Sequence, residues 1–114
     1  MDLKTIHNVY FIGIGGIGMS ALASYFNEIG KNVAGYDKTP SKLTSKLESS
    51  GISIHFNDSL GLVPNEFKNK SNTLVVYTPA VKQSHEEFKF FSTNDFAILK
   101  RAEVLGLITK NTII

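Results

Sequence analysis

The 114-residue chain contains no cysteine. That excludes disulfides, thiolate nucleophiles and cysteine-ligated metal, and accords with a reducing cytoplasm. Arginine is nearly missing too: of 12 basic residues only Arg101 carries a guanidinium, so it alone can grip a phosphate or carboxylate with two parallel hydrogen bonds. No stretch reaches the roughly 18 consecutive apolar residues of a membrane span. Nor is there a basic stripe, because 12 Lys and Arg are scattered among 10 Asp and Glu for a net charge of +2. Nucleic acid is therefore not an expected partner, and the pI of about 8.9 leaves only a weak general attraction to anions. The pattern G-x-x-x-x-G-K-[ST] occurs nowhere, so the chain offers no ATP-phosphate loop. His7, His55 and His85 lack metal-ligand spacing and read as surface or internally satisfied side chains. No internal repeat and no low-complexity tract stands out.

What is present fits one compact domain with a single core, 42% of it hydrophobic by composition. Lys4, the apolar run after it and Ala21-Leu22-Ala23 imitate a secretory signal. Four glycines within that run, each costing about 1 kcal/mol in a helix interior, argue against the imitation.

Strand-like and helix-like segments alternate, which predicts an α/β fold: a Rossmann-like open parallel sheet of about five strands with helices on both faces. Val9 to Ile14 is the first expected strand, with no polar alternation because both of its faces are covered. Leu22, Phe26 and Ile29 then recur at helical spacing as far as Gly30, a left-handed stop. Asn32 to Tyr36 is the second strand. Thr39-Pro40 offers an N-cap and a first-turn proline for a helix carrying Leu43 and Leu47. Ile52 to Phe56 alternates, as a short strand near an edge does. Residues 57 to 72 are poorly legible, with at most a short helix from Leu60 to Phe67 broken by Pro64. Thr73 to Tyr77 is the fourth strand, Ser84 to Glu87 a capping box for a helix with Phe88 and Phe91, and Ala97 to Leu99 a fifth strand. A last helix runs to about Lys110, and Thr112 to Ile114 reads as a strand just begun, as in a fragment of a larger protein.

Gly13-Ile14-Gly15-Gly16-Ile17-Gly18 satisfies G-x-G-x-x-G between a strand and a helix, the context in which that pattern carries meaning. Gly13 permits the tight turn, Gly15 and Gly16 leave backbone open to a pyrophosphate, and Gly18 permits close packing of helix on strand. The helix start presents unpaired N–H groups and about half a positive charge to an anion. Asp37, nineteen residues past Gly18, stands where this fold places an acid for a ribose hydroxyl. The residues alone thus point to a nucleotide-diphosphate binder, with NAD the default ligand. A noncatalytic interaction domain on the same scaffold also stays open. Tyr36, Tyr77, Phe90 and Phe91 read as core or wall, and Glu86 and Glu87 as charges that suit a helix N-terminus.

His7 to Ser20, HNVYFIGIGGIGMS, closely resembles the opening of the UDP-N-acetylmuramate:L-alanine ligases, a family of cytoplasmic muramyl ligases of bacterial cell-wall synthesis. Val75 to Val81, VVYTPAV, and Lys100 to Leu105, KRAEVL, are similar to its segments after the fourth and fifth strands. The resemblance spans nearly the whole chain and is loosest over residues 57 to 72. It implies that residues 1–114 are a single UDP-sugar-binding first domain, without the central ATPase and C-terminal domains. The parent would join L-alanine to the lactyl carboxylate of UDP-N-acetylmuramate through an acyl phosphate, with ATP and Mg2+ held outside this chain. It also implies contacts residue by residue: Gly13 and the amides of Gly15, Gly16, Ile17 and Gly18 at the pyrophosphate, Asp37 and Lys38 near the uridine. Thr78, Pro79 and Ala80 would lie at the ligand edge of the sheet, with Arg101 near a phosphate or the sugar. Many members carry two serines where this chain has Thr78-Pro79, which removes one hydroxyl and one backbone donor. A related ligase that recycles a muramyl tripeptide is the runner-up.

Overall fold

The computed structural model describes residues 2–111. Five parallel strands lie in the order β3-β2-β1-β4-β5, with β1 at Asn8–Ile12, β2 at Asn32–Tyr36, β3 at Ser53–His55, β4 at Thr73–Tyr77 and β5 at Ala97–Lys100. The central strand is buried along its entire length, in register with Asn32 to Tyr36 on one side and Thr73 to Tyr77 on the other. Its unbroken apolar run follows from that position, since helices or turns cover both faces. The outer strand β3 pairs with β2 alone and β5 with β4 alone, and both alternate or shorten as edges do.

One face is covered by α1 (Ile17–Glu28), α2 (Lys42–Ser49) and α4 (Arg101–Asn111), around a core of Val9, Phe11, Leu22, Phe26, Leu74 and Val104. The other face carries α3 (Glu86–Thr93) and two 3-10 turns, with Tyr10, Ile12, Val63, Phe67, Val75 and Phe91 packed between. Those turns, Leu60–Leu62 and Asn65–Lys68, flank Pro64. The broken helix expected there is thus two single turns.

Several boundaries differ from the sequence expectations. β1 stops at Ile12 rather than Ile14, because Gly13 adopts a φ of +95° and the amides of Gly13 and Ile14 both donate to the Tyr36 carbonyl, at 2.8 and 3.0 Å. The second helix is capped by Ser41, not Thr39. Ser41 Oγ accepts from the Thr44 amide and Thr44 Oγ1 accepts from the Ser41 amide, whereas the Thr39 amide donates to Asp37. At α3 the expected Ser84 capping box is absent. His85 is the cap residue, and the carboxylate of Asp58 accepts from the amides of Glu86 and Glu87 at 2.7 and 3.1 Å. A side chain 28 residues upstream does what a local serine was expected to do. The strand expected at Thr112 to Ile114 falls outside the described residues.

Candidate functional site

The chain leaves β1 for β2 and β3 on one side, then returns to β4 and β5 on the other. This reversal opens a crevice at the carboxyl ends of β1 and β4, where open α/β sheets bind ligands. A cleft of about 540 Å³ occupies that edge. Gly13 and Gly16 follow β1, Tyr36, Asp37 and Lys38 end β2, and Thr78 and Ala80 follow β4, and all seven line it. Met19 of α1 forms part of its floor.

The glycines act in different ways. Gly16 is the N-cap of α1 and has no side chain to close the helix end, so the first amides of α1 lack intrahelical acceptors; of the turn and helix start, Gly13, Gly16 and Met19 line the cleft, whereas Gly15, Ile17, Gly18 and Arg101 lie outside its lining. A Cβ on Gly16 would meet nothing closer than Met19 Cγ at 3.8 Å, which makes this glycine a matter of access, not of packing. Gly13 needs its left-handed φ and is also crowded by the Thr78 methyl. At Gly15 a Cβ would come within 2.7 Å of Asp37 Oδ2, and at Gly18 within 2.7 Å of Arg101 Cδ. The nearest neighbour of Gly18 is the Arg101 side chain, which its missing Cβ admits over the start of α1.

Asp37 is already engaged. Its Oδ2 accepts from the Gly15 amide at 2.7 Å and its Oδ1 from the Thr39 amide at 3.0 Å. Lys38 is exposed at the rim. The Thr78 amide donates to the Ile12 carbonyl at 3.2 Å, tying the β4 exit to β1, while the Thr78 hydroxyl accepts from the Ala80 amide at 3.5 Å. Pro79 is exposed beside them and outside the cleft lining. Ile17, 84% exposed, contributes backbone to the turn and no core contact. Arg101 opens α4, exposed and against Gly18.

Sequence reasoning missed the far wall. Asp58, Lys82, Ser84 and His85 line the cleft opposite the glycine turn, with the Tyr36 ring edge-on to His85 at 4.7 Å between centroids. His85 Nδ1 lies 3.1 Å from Asp58 Oδ1, and its Nε2 is buried without a hydrogen-bond partner among the described residues. Burial, then the nearby Asp58, Glu87 and Asp37 charges, raise the Tyr36 phenol above its ordinary value. The start of α3 at the same sheet edge was the available signal for His85. Asp58 gave none, since it lies in the segment without periodicity. Among the described residues no cluster of three or more His, Asp or Glu side chains is arranged to hold a metal ion, and no helix is long and apolar enough to cross a membrane.

Residues 8–112 match the model of the Mur ligase family, catalytic domain. The chain belongs to the Mur ligase family. It is 62% identical over 112 residues to a UDP-N-acetylmuramate--L-alanine ligase of Flavobacterium psychrophilum, covering 98% of this chain and 25% of that protein. To the ligase of the same name from Phocaeicola vulgatus it is 54% identical over 109 residues, covering 96% and 24%. The Mur ligase chain thus spans about a quarter of the length of these relatives. Among solved structures, the UDP-N-acetylmuramate-alanine ligase of Thermotoga maritima superposes with a TM-score of 0.77 at 30% identity, over 90% of this chain and 23% of that one. A UDP-N-acetylmuramate:L-alanyl-gamma-D-glutamyl-meso-diaminopimelate ligase from Neisseria meningitides shares the fold, with a TM-score of 0.74 at 23% identity over 88% and 30%.

Proposed function

We propose that residues 1–114 form the UDP-N-acetylmuramate-binding domain of an ATP-dependent ligase that joins L-alanine to that sugar nucleotide in the cytoplasm, for peptidoglycan synthesis. One observation carries the reading: a glycine turn and an uncapped helix start border a cleft of nucleotide size, in a chain 62% identical to a ligase named for this substrate. On this reading the amides of Ile17 and Gly18 take the pyrophosphate beside that of Gly16, whose bond to the Gly13 carbonyl is long at 3.4 Å, with Gly13 and Gly15 shaping the turn and Arg101 adding charge over the same helix end. Asp37 and Lys38 border the uridine. Thr78, Pro79 and Ala80 form the rim toward the sugar. On the same reading ATP, Mg2+ and L-alanine belong to the rest of a ligase of which this chain spans about a quarter, and no phosphate loop occurs in the sequence.

NAD is the weaker candidate, because both oxygens of Asp37 already accept backbone hydrogen bonds, leaving less capacity for an adenosine ribose. The test is an NMR titration of the isotope-labelled chain with UDP-N-acetylmuramate and, separately, with NAD. Shifts at Gly16 to Gly18, Asp37 and Thr78 with the sugar nucleotide alone are expected. Shifts with NAD alone overturn the assignment.

A further inference from the structure

Among the described residues Glu87 is the one fully buried carboxylate, set in the first turn of α3 in the aromatic face of the core beside Tyr10 and Phe91. A carboxyl in such a place is costly unless its lone pairs are met. Here they are met from three elements. Tyr10 of β1 donates to Oε1 at 2.5 Å, His55 Nε2 of β3 lies 2.6 Å from Oε2, and the Ser59 amide donates to Oε2 at 3.3 Å. Neighbouring Glu86 accepts from the Leu60 amide. Asp58 returns the connection by accepting from the amides of Glu86 and Glu87. The link between residues 58–60 and α3 is therefore reciprocal, with each segment supplying carboxyl oxygens to the other's amides.

This latch holds the far wall of the cleft. Asp58 and His85 line that wall, and both sit on the latched segments. The buried His85 Nε2 without a protein partner leaves that wall with a polar atom to satisfy. Leucine at position 87 would fill the space but leave the Tyr10 hydroxyl, the His55 ring and the Ser59 amide without their acceptor. Of these three, the Ser59 amide is the one on the segment beside the cleft.

We propose that Glu87 is a positioning residue: from the buried face of the sheet it fixes residues 58–60, so that Asp58 and His85 present a preformed wall to the nucleoside end of the ligand. The proposal rests on the UDP-sugar reading above, and the experiment separates the two.

Wild-type chain, Glu87→Gln and Glu87→Leu are titrated with UDP-N-acetylmuramate and with inorganic pyrophosphate, after their amide spectra establish that each is folded. Wild type is expected to bind both. Both variants are expected to lose about tenfold or more in affinity for the sugar nucleotide and to keep their affinity for pyrophosphate, whose proposed partners, the glycine turn and Arg101, do not include residues 58–60, while hydrogen exchange quickens at Ser59 and Leu60. Unchanged sugar-nucleotide affinity in both variants overturns the positioning role. An equal loss for the two probes also overturns it, because it marks a general weakening of the fold. Failure of the wild type to bind the sugar nucleotide removes the functional reading before any variant is considered, and this proposal with it. If neither Glu87 variant folds, Tyr10→Phe carries the test: it deletes one donor to Glu87 without touching the cleft, and a weaker sugar-nucleotide affinity with pyrophosphate binding intact is expected. No change there overturns the proposal.

Discussion

The carboxylate of Asp37 accepts a hydrogen bond from the amide of Gly15 at 2.7 Å, which joins the end of β2 to the glycine turn that follows β1. An acid expected to face a ligand hydroxyl thus first stabilises the glycine turn itself. Its second oxygen, on the Thr39 amide, holds the chain between β2 and α2.

Removing that charge should loosen the turn. Asp37→Asn retains one acceptor oxygen and loses the charge, and hydrogen bonds to charged groups contribute about 1.5–3 kcal/mol each. A stability loss of about 1–2 kcal/mol is expected in urea denaturation. A loss below the error of the measurement would show that the turn does not depend on Asp37.

The two adjacent glycines should separate. Gly16→Val has room for its Cβ and an ordinary φ of −66°, so stability should change by no more than about 1 kcal/mol while UDP-N-acetylmuramate binding disappears. Gly15→Val drives a side chain into Asp37 and Thr44 and should lower stability as well as binding. Thermal melts paired with calorimetric titration read both effects, and retained binding in a folded Gly16→Val chain would displace the pyrophosphate from this turn.

Arg101→Ala is expected to weaken sugar-nucleotide binding about tenfold, the loss of one charge-assisted contact to phosphate, with little effect on stability because the side chain is exposed. Gly18→Ala should mimic part of that defect by pushing the guanidinium aside. Steeper salt dependence in the wild type than in Arg101→Ala would accompany the effect.

Alkaline pH should unfold the chain through Tyr10. Burial first, and then the charge of Glu87, push its phenol far above the ordinary 10.0. A folded-state value above the unfolded one gives stability that is complete below about pH 10 and falls as pH rises beyond it, because only the unfolded chain releases the proton. The slope approaches about 1.4 kcal/mol per pH unit for one group. Tyr36 shifts the same way, so Tyr10→Phe should reduce the alkaline fall without abolishing it. Equal falls in variant and wild type, from urea titrations between about pH 9 and 11, would count against a protonated, buried phenol.

The sheet was legible because its signals are local. Apolar runs such as Val9 to Ile12 and Leu74 to Tyr77 have no polar alternation, and the strands alternate with segments of helical spacing. The G-x-G-x-x-G turn and Asp37 were legible for the same reason: backbone conformation and chain position dictate glycine and acid at these places. Helix caps were read less well. Thr39 and Ser84 are good cap residues by type, but Asp37 takes the amide of one and Asp58 supplants the other.

By itself, then, the sequence determined a parallel α/β sheet, the order of its elements along the chain and one glycine turn with an open helix start, since each depends on residues close together in the chain. Only the tertiary structure decided what Asp37, Arg101 and Glu87 do. Their partners are Gly15, Gly18, and Tyr10 with His55, residues between 22 and 83 positions away. Contacts at that range arise only once the sheet has assembled, and no periodicity records them beforehand.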